Sequence, residues 1–344
     1  MRKFILALLF LLGIIFLFVN KAELASTLQT LLLGKWQYLV GALAFEVLWV
    51  LGVTGVFLII YRAIGIAEKF DSMIFIFGAA NFVGIVAPSA GVSGLAVFAA
   101  EARRRGYSPA RATVAATLFM LLDYIGFFFI LCLGLYVLMR RQDLTWVEIS
   151  ATIILAGVIA VLVALLILGL RSGEALGAAL AWIAKGINRL LRPWLKRDYV
   201  SAENARTFAL DAAQGLKELK NHPFYLLAAI GLAVVNKFLL MIVLGLCFLA
   251  FGVPLVPGTL ISGFSIGYLL STISPTPAGL GFFEGSLTLV LSSMSIPFGT
   301  AILITLSYRA ITFWLLLLFG MVSLRLLERS ADFPEIEKNR ILGE

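Results

Sequence analysis

Five ionisable side chains stand inside long apolar stretches of this chain: Glu46, Asp123, Lys237, Glu284 and Arg309. A lone charge at the centre of a bilayer costs roughly 2.5–3.5 kcal/mol on insertion scales, so such groups pair, face water or meet a charged ligand. Three acids and two bases nearly balance, which permits mutual pairing around one polar interior. Asn81 and Asn236 add neutral polar groups within the same stretches. Such a set either fixes helix register or lines a path for a charged group.

Arg309 is the strongest single candidate. It sits in Thr305-Leu306-Ser307-Tyr308-Arg309-Ala310-Ile311-Thr312, where the two threonines fall near its helix face. A guanidinium flanked by hydroxyls can grip a phosphate with two parallel donors. Asp123 and Glu46 could attract a cationic headgroup, or hold Arg309 while the site is empty. Asp123 is followed by Tyr124, as Arg309 is preceded by Tyr308. Glu284 lies three residues beyond Gly281, in the first turn of a predicted half-helix. An acid there also serves as a cap at the positive helix end. The expected substrate-binding set is therefore Arg309, Asp123, Glu46, Glu284, Tyr308, Tyr124, Thr305 and Lys237.

Other chemistries lack their residues. His222 is the one histidine, and Cys132 and Cys247 sit inside apolar runs, so no spaced Cys/His set for zinc can be assembled. The glycine-rich stretches match neither a phosphate-binding loop nor a dinucleotide fingerprint. No metal, cofactor, catalytic constellation or enzyme activity is expected. A net charge of +8 could suggest nucleic acid. On a membrane chain it reads instead as loops held against an anionic leaflet.

The elements that position these residues must be membrane helices. Hydrophobic residues make up 61% of the chain and charged residues 13%, with a mean hydropathy of +1.03. A soluble domain carries about 25% charged side chains to keep its surface wet. A helical crossing needs about 20 apolar residues. The runs are 4–19, 37–60, 72–98, 112–139, 147–170, 224–252, 258–295 and 299–327. The first follows Met1-Arg2-Lys3 without a convincing cleavage site, so an uncleaved helix is expected.

Two runs are interrupted. Pro88, Gly91 and Gly94 break the first, and Pro275, Pro277, Gly279 and Gly281 break the second. Proline removes a backbone donor and glycine loosens the chain. Irregular backbone at membrane depth survives only where protein or a water-filled cavity satisfies it. Both runs are therefore predicted to be re-entrant helical hairpins, 72–98 and 258–295, and the other six to cross fully. With the N-terminus inside, 21 of the 27 Lys and Arg residues then fall on the cytoplasmic side. A full crossing by 72–98 would place Arg103, Arg104 and Arg105 outside, against the positive-inside bias.

The expected architecture is thus an all-α polytopic membrane protein of six transmembrane helices and two oppositely oriented re-entrant hairpins. Both termini are cytoplasmic in the cell membrane. One transmembrane domain covers 1–344: a first half at 1–170, a connector at 171–223 and a second half at 224–344. The halves form a candidate inverted repeat, a recurring transporter design. Asp123 follows Pro88 by 35 residues and Arg309 follows Pro275 by 34. In the connector, Leu176, Leu180, Ile183, Ile187, Leu190, Leu191 and Trp194 recur at helical spacing among basic residues. Such a basic amphipathic helix suits the headgroup layer, with anionic lipids as partners.

At 274–285 (SPTPAGLGFFEG) and 305–314 (TLSYRAITFW) the chain resembles the transmembrane region of lysylphosphatidylglycerol synthase/flippase proteins. The broken Pro-Ser-Ala-Gly-Val-Ser-Gly region and the basic triplet at 103–105 fit the equivalent first half, although 96–100 carries no acid before Glu101. The resemblance spans essentially the whole chain. It implies movement of a phospholipid or lipid-linked headgroup between leaflets, an aminoacylated phosphatidylglycerol among the candidates. Some members carry a soluble synthase domain, which is not expected in the residues after the last apolar run. Membrane phospholipid is the expected substrate, and a homo-oligomer is compatible with the sequence. The competing expectations are an integral membrane transferase using Glu46 with Asp123, and a small-solute secondary transporter.

Overall fold

Apolar side chains surround the longest helices on nearly every face, as lipid-facing helices require. The computed structural model describes residues 21–87, 92–195, 202–274 and 276–342. The run 4–19 and the break residues Pro88, Gly91 and Pro275 lie outside the described residues. In chain order the helices are α1 (Lys21–Leu33), α2 (Trp36–Ala63), α3 (Phe70–Val86), α4 (Val92–Arg104), α5 (Pro109–Arg141) and α6 (Trp146–Arg171). They continue with α7 (Gly173–Leu195), α8 (Ala202–Lys220), α9 (Pro223–Ala250), α10 (Pro257–Ile273), α11 (Phe282–Ser293), α12 (Phe298–Arg309) and α13 (Leu315–Leu342). A π-helical turn, Ala310–Trp314, joins α12 to α13. No strand occurs among the described residues.

Five helices are long and apolar enough to cross a membrane: Trp36–Ala63, Pro109–Arg141, Trp146–Arg171, Pro223–Ala250 and Phe298–Glu328. Their starts are written locally. Pro109, Pro223 and Pro257 occupy first-turn positions where a missing N–H costs nothing. Thr145 and Glu148 close α6 with a reciprocal capping box.

Both interrupted runs fold back on themselves. At the break of the first, the Ser93 hydroxyl on α4 donates to the Val83 carbonyl on α3 at 3.0 Å. At its open end, Arg105 just after α4 pairs at 2.9 Å with Glu68 just before α3. In the second, Gly263 on α10 faces Leu291 on α11 and Gly267 faces Phe283, so these arms also run antiparallel. With 17 and 13 residues, α3 and α4 are about 25 and 20 Å long, short of the roughly 30 Å hydrocarbon core.

The open ends of the two hairpins point to opposite ends of the bundle. Helices α2 and α9 pack antiparallel, with Gly55 against Leu232, Gly52 against Asn236 and Gly41 against Leu246. At the basic end, Arg111 reaches the Ile64 carbonyl beyond α2, and Arg104 donates to the Leu327 carbonyl at 2.9 Å. At the other end, the Lys35 amide donates to the Ala250 carbonyl at 3.0 Å, and one pocket is lined by Phe251, Pro254, Val256, Met294 and Pro297. That pocket brings the two feet of the second hairpin together.

The connector 171–223 holds the expected helix as α7 and pairs it with a second helix, α8. Gly173 packs on Leu210 and Ala213, and Gly177 on Arg206 and Ala209, so α7 and α8 lie antiparallel. Leu176, Ala181 and Ala184 of α7 are buried with Ala209, Ala212 and Leu216 of α8. Part of the apolar face predicted for lipid is therefore covered by protein. Arg111 at the start of α5 holds Glu218 of α8 at 3.1 Å, which docks the pair on the basic end.

Buried hydrophobic side chains form two clusters. One joins Val53 of α2, Phe77 of α3, Leu122 of α5, Ala233 of α9 and Phe313. The other joins Ala42 of α2, Phe127 of α5, Leu240 of α9, Phe283 of α11 and Tyr308 of α12. Each long helix thus passes from one cluster to the other. Glu46, Asp123, Asn236, Lys237 and Arg309 all fall at the changeover on their helices, so the charges form a layer between two apolar cores.

Candidate functional site

Two ion pairs occupy this layer, and the second hairpin contributes to both. Lys237 on α9 points its ammonium at Asp123 on α5, with Nζ 2.7 Å from one carboxylate oxygen. Tyr268 on α10 completes a triangle: its hydroxyl accepts from Lys237 at 2.7 Å and donates to Asp123 at 2.9 Å. The ammonium also lies 4.0 Å from the centre of the Tyr268 ring. Lys237 is 1% exposed, so these three contacts replace its hydration.

The other pair is Glu284 on α11 with Arg309 at the end of α12. The Arg309 Nε–H donates to one Glu284 oxygen, and Nη2 donates to the Ala278 carbonyl at 3.3 Å. The guanidinium carbon lies 4.3 Å from the centre of the Phe313 ring and 5.0 Å from that of Phe283, both within cation–π range. Arg309 is also the last residue before the π turn, a local widening that frequently marks functional positions.

The turn that Arg309 grips is built by its glycines. Ala278 has φ +52°, Gly279 +71° and Gly281 +81°, all left-handed backbone. A Cβ on Gly279 would also lie 2.7 Å from the Ser271 Cα, so the turn packs flush against α10. The Thr276 hydroxyl bonds the Leu280 carbonyl at 2.8 Å, and Ser271 bonds the Ala278 carbonyl at 3.3 Å. The irregular backbone is thereby satisfied from within the protein.

The expected site residues separate by partner. Asp123 meets Lys237, and Arg309 meets Glu284; neither Asp123 nor Glu46 holds Arg309. Glu284 is both cap and partner, because its second oxygen accepts the Gly281 amide at 2.7 Å. Tyr308 stacks on Phe283 at 5.5 Å, and Tyr124 is partly buried against the same cluster. The Thr305 hydroxyl is 3.1 Å from Thr288 on α11, whereas Thr312 turns to its own helix and bonds the Tyr308 carbonyl. Glu46 is 4% exposed and neither carboxylate oxygen has a hydrogen-bond partner among the described residues. Asn236 and the Asn81 amide nitrogen share that condition.

Tyr268 and the Ala278 carbonyl do not stand out in the sequence. Tyr268 carries a signal, since it is a hydroxyl-bearing aromatic in an apolar hairpin arm of a chain with a lysine buried in an apolar helix. Ala278 carries none, because only its carbonyl is used. Beside the Glu284/Arg309 pair, α11 and α12 leave a pocket of about 390 Å³ lined by Glu284, Thr288, Thr305 and Phe298, among others.

The fold and this charged layer define a polytopic helical membrane protein with two buried ion pairs, one held at a hairpin turn and one against a hairpin arm. Residues 4–320 match the family described as Lysylphosphatidylglycerol synthase TM region, and the chain belongs to that family. No curated protein matches the chain.

Proposed function

We propose that the chain is a flippase-like translocase that moves a phospholipid or lipid-linked headgroup between leaflets, with no catalytic step of its own. The observation that carries this reading is the way Arg309 is held. One carboxylate oxygen and one carbonyl at 3.3 Å take two of its five N–H donors, and a lipid phosphate offers acceptors of the same kind. Glu284 and Thr305 also line the adjoining pocket, so a headgroup entering there reaches the pair from the side.

In this reading the two fold-backs are re-entrant hairpins of opposite orientation and the halves form an inverted repeat. The same reading keeps the six-crossing topology expected from the sequence, with both termini in the cytoplasm of a cell whose plasma membrane holds the protein. A hairpin turn inside the bilayer lets a headgroup pass between two apolar cores while acyl chains remain in lipid. An aminoacylated phosphatidylglycerol is one substrate that fits, since its cation can meet Asp123 or Glu46 as its phosphate meets Arg309.

The test is a leaflet-resolved lipid assay in proteoliposomes over a panel of headgroups. The wild type should move at least one phospholipid faster than empty vesicles, and Arg309→Lys should slow it, because the ammonium lacks the planar fork. Equal rates in the two proteins would remove Arg309 from the path, and a rate equal to empty vesicles for every headgroup would remove the function.

A further inference from the structure

A larger cavity lies away from both ion pairs, beside the first hairpin. It is a groove of about 830 Å³ between α4, the end of α3 and the stretch of α13 that leads to the basic end. Its walls are apolar, with Val83, Val97, Leu324 and Leu327 beside the small side chains of α4. Ala96, Ala99, Ala100 and Arg103 follow one another at helical spacing, and Ala96, Ala100 and Arg103 are exposed. One face of α4 thus runs from a bare alanine surface to a cation over ten residues, about 15 Å from Ser93 to Arg103.

Charge at the basic end is unevenly committed. Arg104 donates to the Leu327 carbonyl and pairs with Glu101 at 3.2 Å. Arg105 pairs with Glu68 and reaches Glu101 at 3.5 Å. Glu101 is thereby neutralised, and Glu328 stands on the opposite rim. Arg103 lines the groove with no hydrogen bond or ion pair among the described residues. A groove of this size, apolar along its length and ending in an open guanidinium, complements an amphiphile with one anionic group.

We propose that this groove binds one diacyl glycerophospholipid from the leaflet at the basic end, its phosphate on Arg103 and one acyl chain along Ala96, Ala99 and Ala100. The small side chains leave the room the chain occupies, and the position of Arg103 sets the phosphate at the level where the apolar wall ends. The far end of the groove at Ala87 and Ser93 adjoins the break of the first hairpin. The site depends on the groove and its charge, and it holds whether or not the protein translocates lipid.

The test uses the full chain in nanodiscs with phosphatidylglycerol carrying a photoactivatable acyl chain, and the labelled peptides are mapped. Labelling should concentrate on α4 and the 324–328 segment. Arg103→Gln should reduce it about fivefold, the scale of one basic group at a membrane surface. Arg103→Lys should retain most of it. Ala100→Trp should abolish it by filling the groove, with thermal melting confirming the fold. Lys185→Gln, an exposed basic site on α7 outside the groove, should leave it unchanged. Photoactivatable diacylglycerol, which lacks the phosphate, should label these segments weakly and without regard to Arg103. Equal labelling by diacylglycerol, equal loss in Lys185→Gln and Arg103→Gln, or full labelling of Ala100→Trp would each reduce the groove to ordinary annular lipid and overturn the proposal. Because the readout is binding, it is independent of the translocation assay: headgroup transport without Arg103-dependent labelling defeats this site alone.

Discussion

Glu284 divides its carboxylate between Arg309 and its own helix: one oxygen takes the Arg309 Nε–H and the other closes the first turn of α11 at the Gly281 amide. One acid therefore couples the charge on α12 to the geometry of the hairpin turn. Glu284 and Arg309 side chains are 14% and 7% exposed, so little solvent is available to either if the other is lost.

Breaking a buried pair from one side costs about 3–5 kcal/mol, since the remaining charge is left without a partner. Arg309→Ala should fall in that range in a detergent or bicelle unfolding titration. Arg309→Lys should cost less, because it keeps the charge but not the planar contact with both Glu284 and the Ala278 carbonyl. In a double-mutant cycle, Arg309→Gln and Glu284→Gln should be coupled by more than about 1 kcal/mol. Additive effects would show that the contact contributes nothing.

Asp123 and Lys237 should respond asymmetrically. Lys237 is fully enclosed, whereas the Asp123 side chain keeps 18% of its surface. Asp123→Asn strands an ammonium, and Lys237→Met leaves a carboxylate that Tyr268 still serves. The first should therefore destabilise more than the second, and the double variant should recover part of the loss. Tyr268→Phe removes one vertex of the triangle and should cost about 1–3 kcal/mol. If Lys237→Met is the more damaging single change, the ammonium is not the group that depends on the pair.

The membrane class and the places where helices stop are readable because both are local. Proline and glycine at 275–281 mark the turn between α10 and α11, and the long apolar runs mark the long helices. Which charge meets which is not readable, because Asp123 and Lys237 are 114 residues apart and meet only through packing. Balanced charges allow several pairings, and the sequence contains nothing that prefers Glu284 over Asp123 as the partner of Arg309. The second connector helix is hard to single out, although Ala209, Ala212, Ala213, Leu216 and Leu219 recur at helical spacing. Charged side chains on its other faces, from Glu203 to Lys220, mask an apolar stripe that is buried by α7 rather than by lipid.

Glycine substitutions should rank by backbone and space. Gly279→Ala combines a φ of +71° with a Cβ 2.7 Å from the Ser271 Cα, and should distort the turn and loosen Arg309 from Ala278. Gly281→Ala has an equally unfavourable φ of +81° but nothing within 4 Å, so its cost should stay near about 1 kcal/mol. Gly231→Ala in α9 has open space and helical backbone, and should be neutral or stabilising by up to about 1 kcal/mol. Melting temperatures of the three proteins give the order directly, and Gly279→Ala ranking below Gly281→Ala in cost would contradict the packing of this turn.

Opposite orientation of the hairpins predicts opposite labelling of their feet. With Cys132 and Cys247 replaced by alanine, a cysteine at Gly106 should react only with a reagent on the cytoplasmic side. Gly106 follows α4 and has nothing near its Cβ position. A cysteine at Val256, 47% exposed just before α10, should react only from outside. Labelling of both from one side would mean that one of α5, α6 and α9 fails to cross, and Gly106 reacting from outside with Val256 from inside would mean that the run 72–98 crosses; either result would end the six-crossing topology.

Glu46 is the charged residue of the layer whose place folding does not explain. It lies between the two apolar cores, 4% exposed, and neither oxygen has a hydrogen-bond partner among the described residues. A buried carboxylate without a partner contributes a desolvation cost and no compensating contact. Glu46→Gln should therefore leave unfolding within about 0.5 kcal/mol of the wild type, and Glu46→Met should stabilise the fold, since a side chain of similar volume fills the site without a polar group. An acid that weakens the fold persists where it has work in another state of the protein. In the proposed translocation cycle that work would be to meet the cation of a headgroup. The stabilised Glu46→Met protein should then be slow in proteoliposomes, by about tenfold or more, while Glu46→Asp keeps part of the rate. A Glu46→Met protein that is more stable and moves lipid at the wild-type rate would show that this carboxyl serves neither folding nor transport.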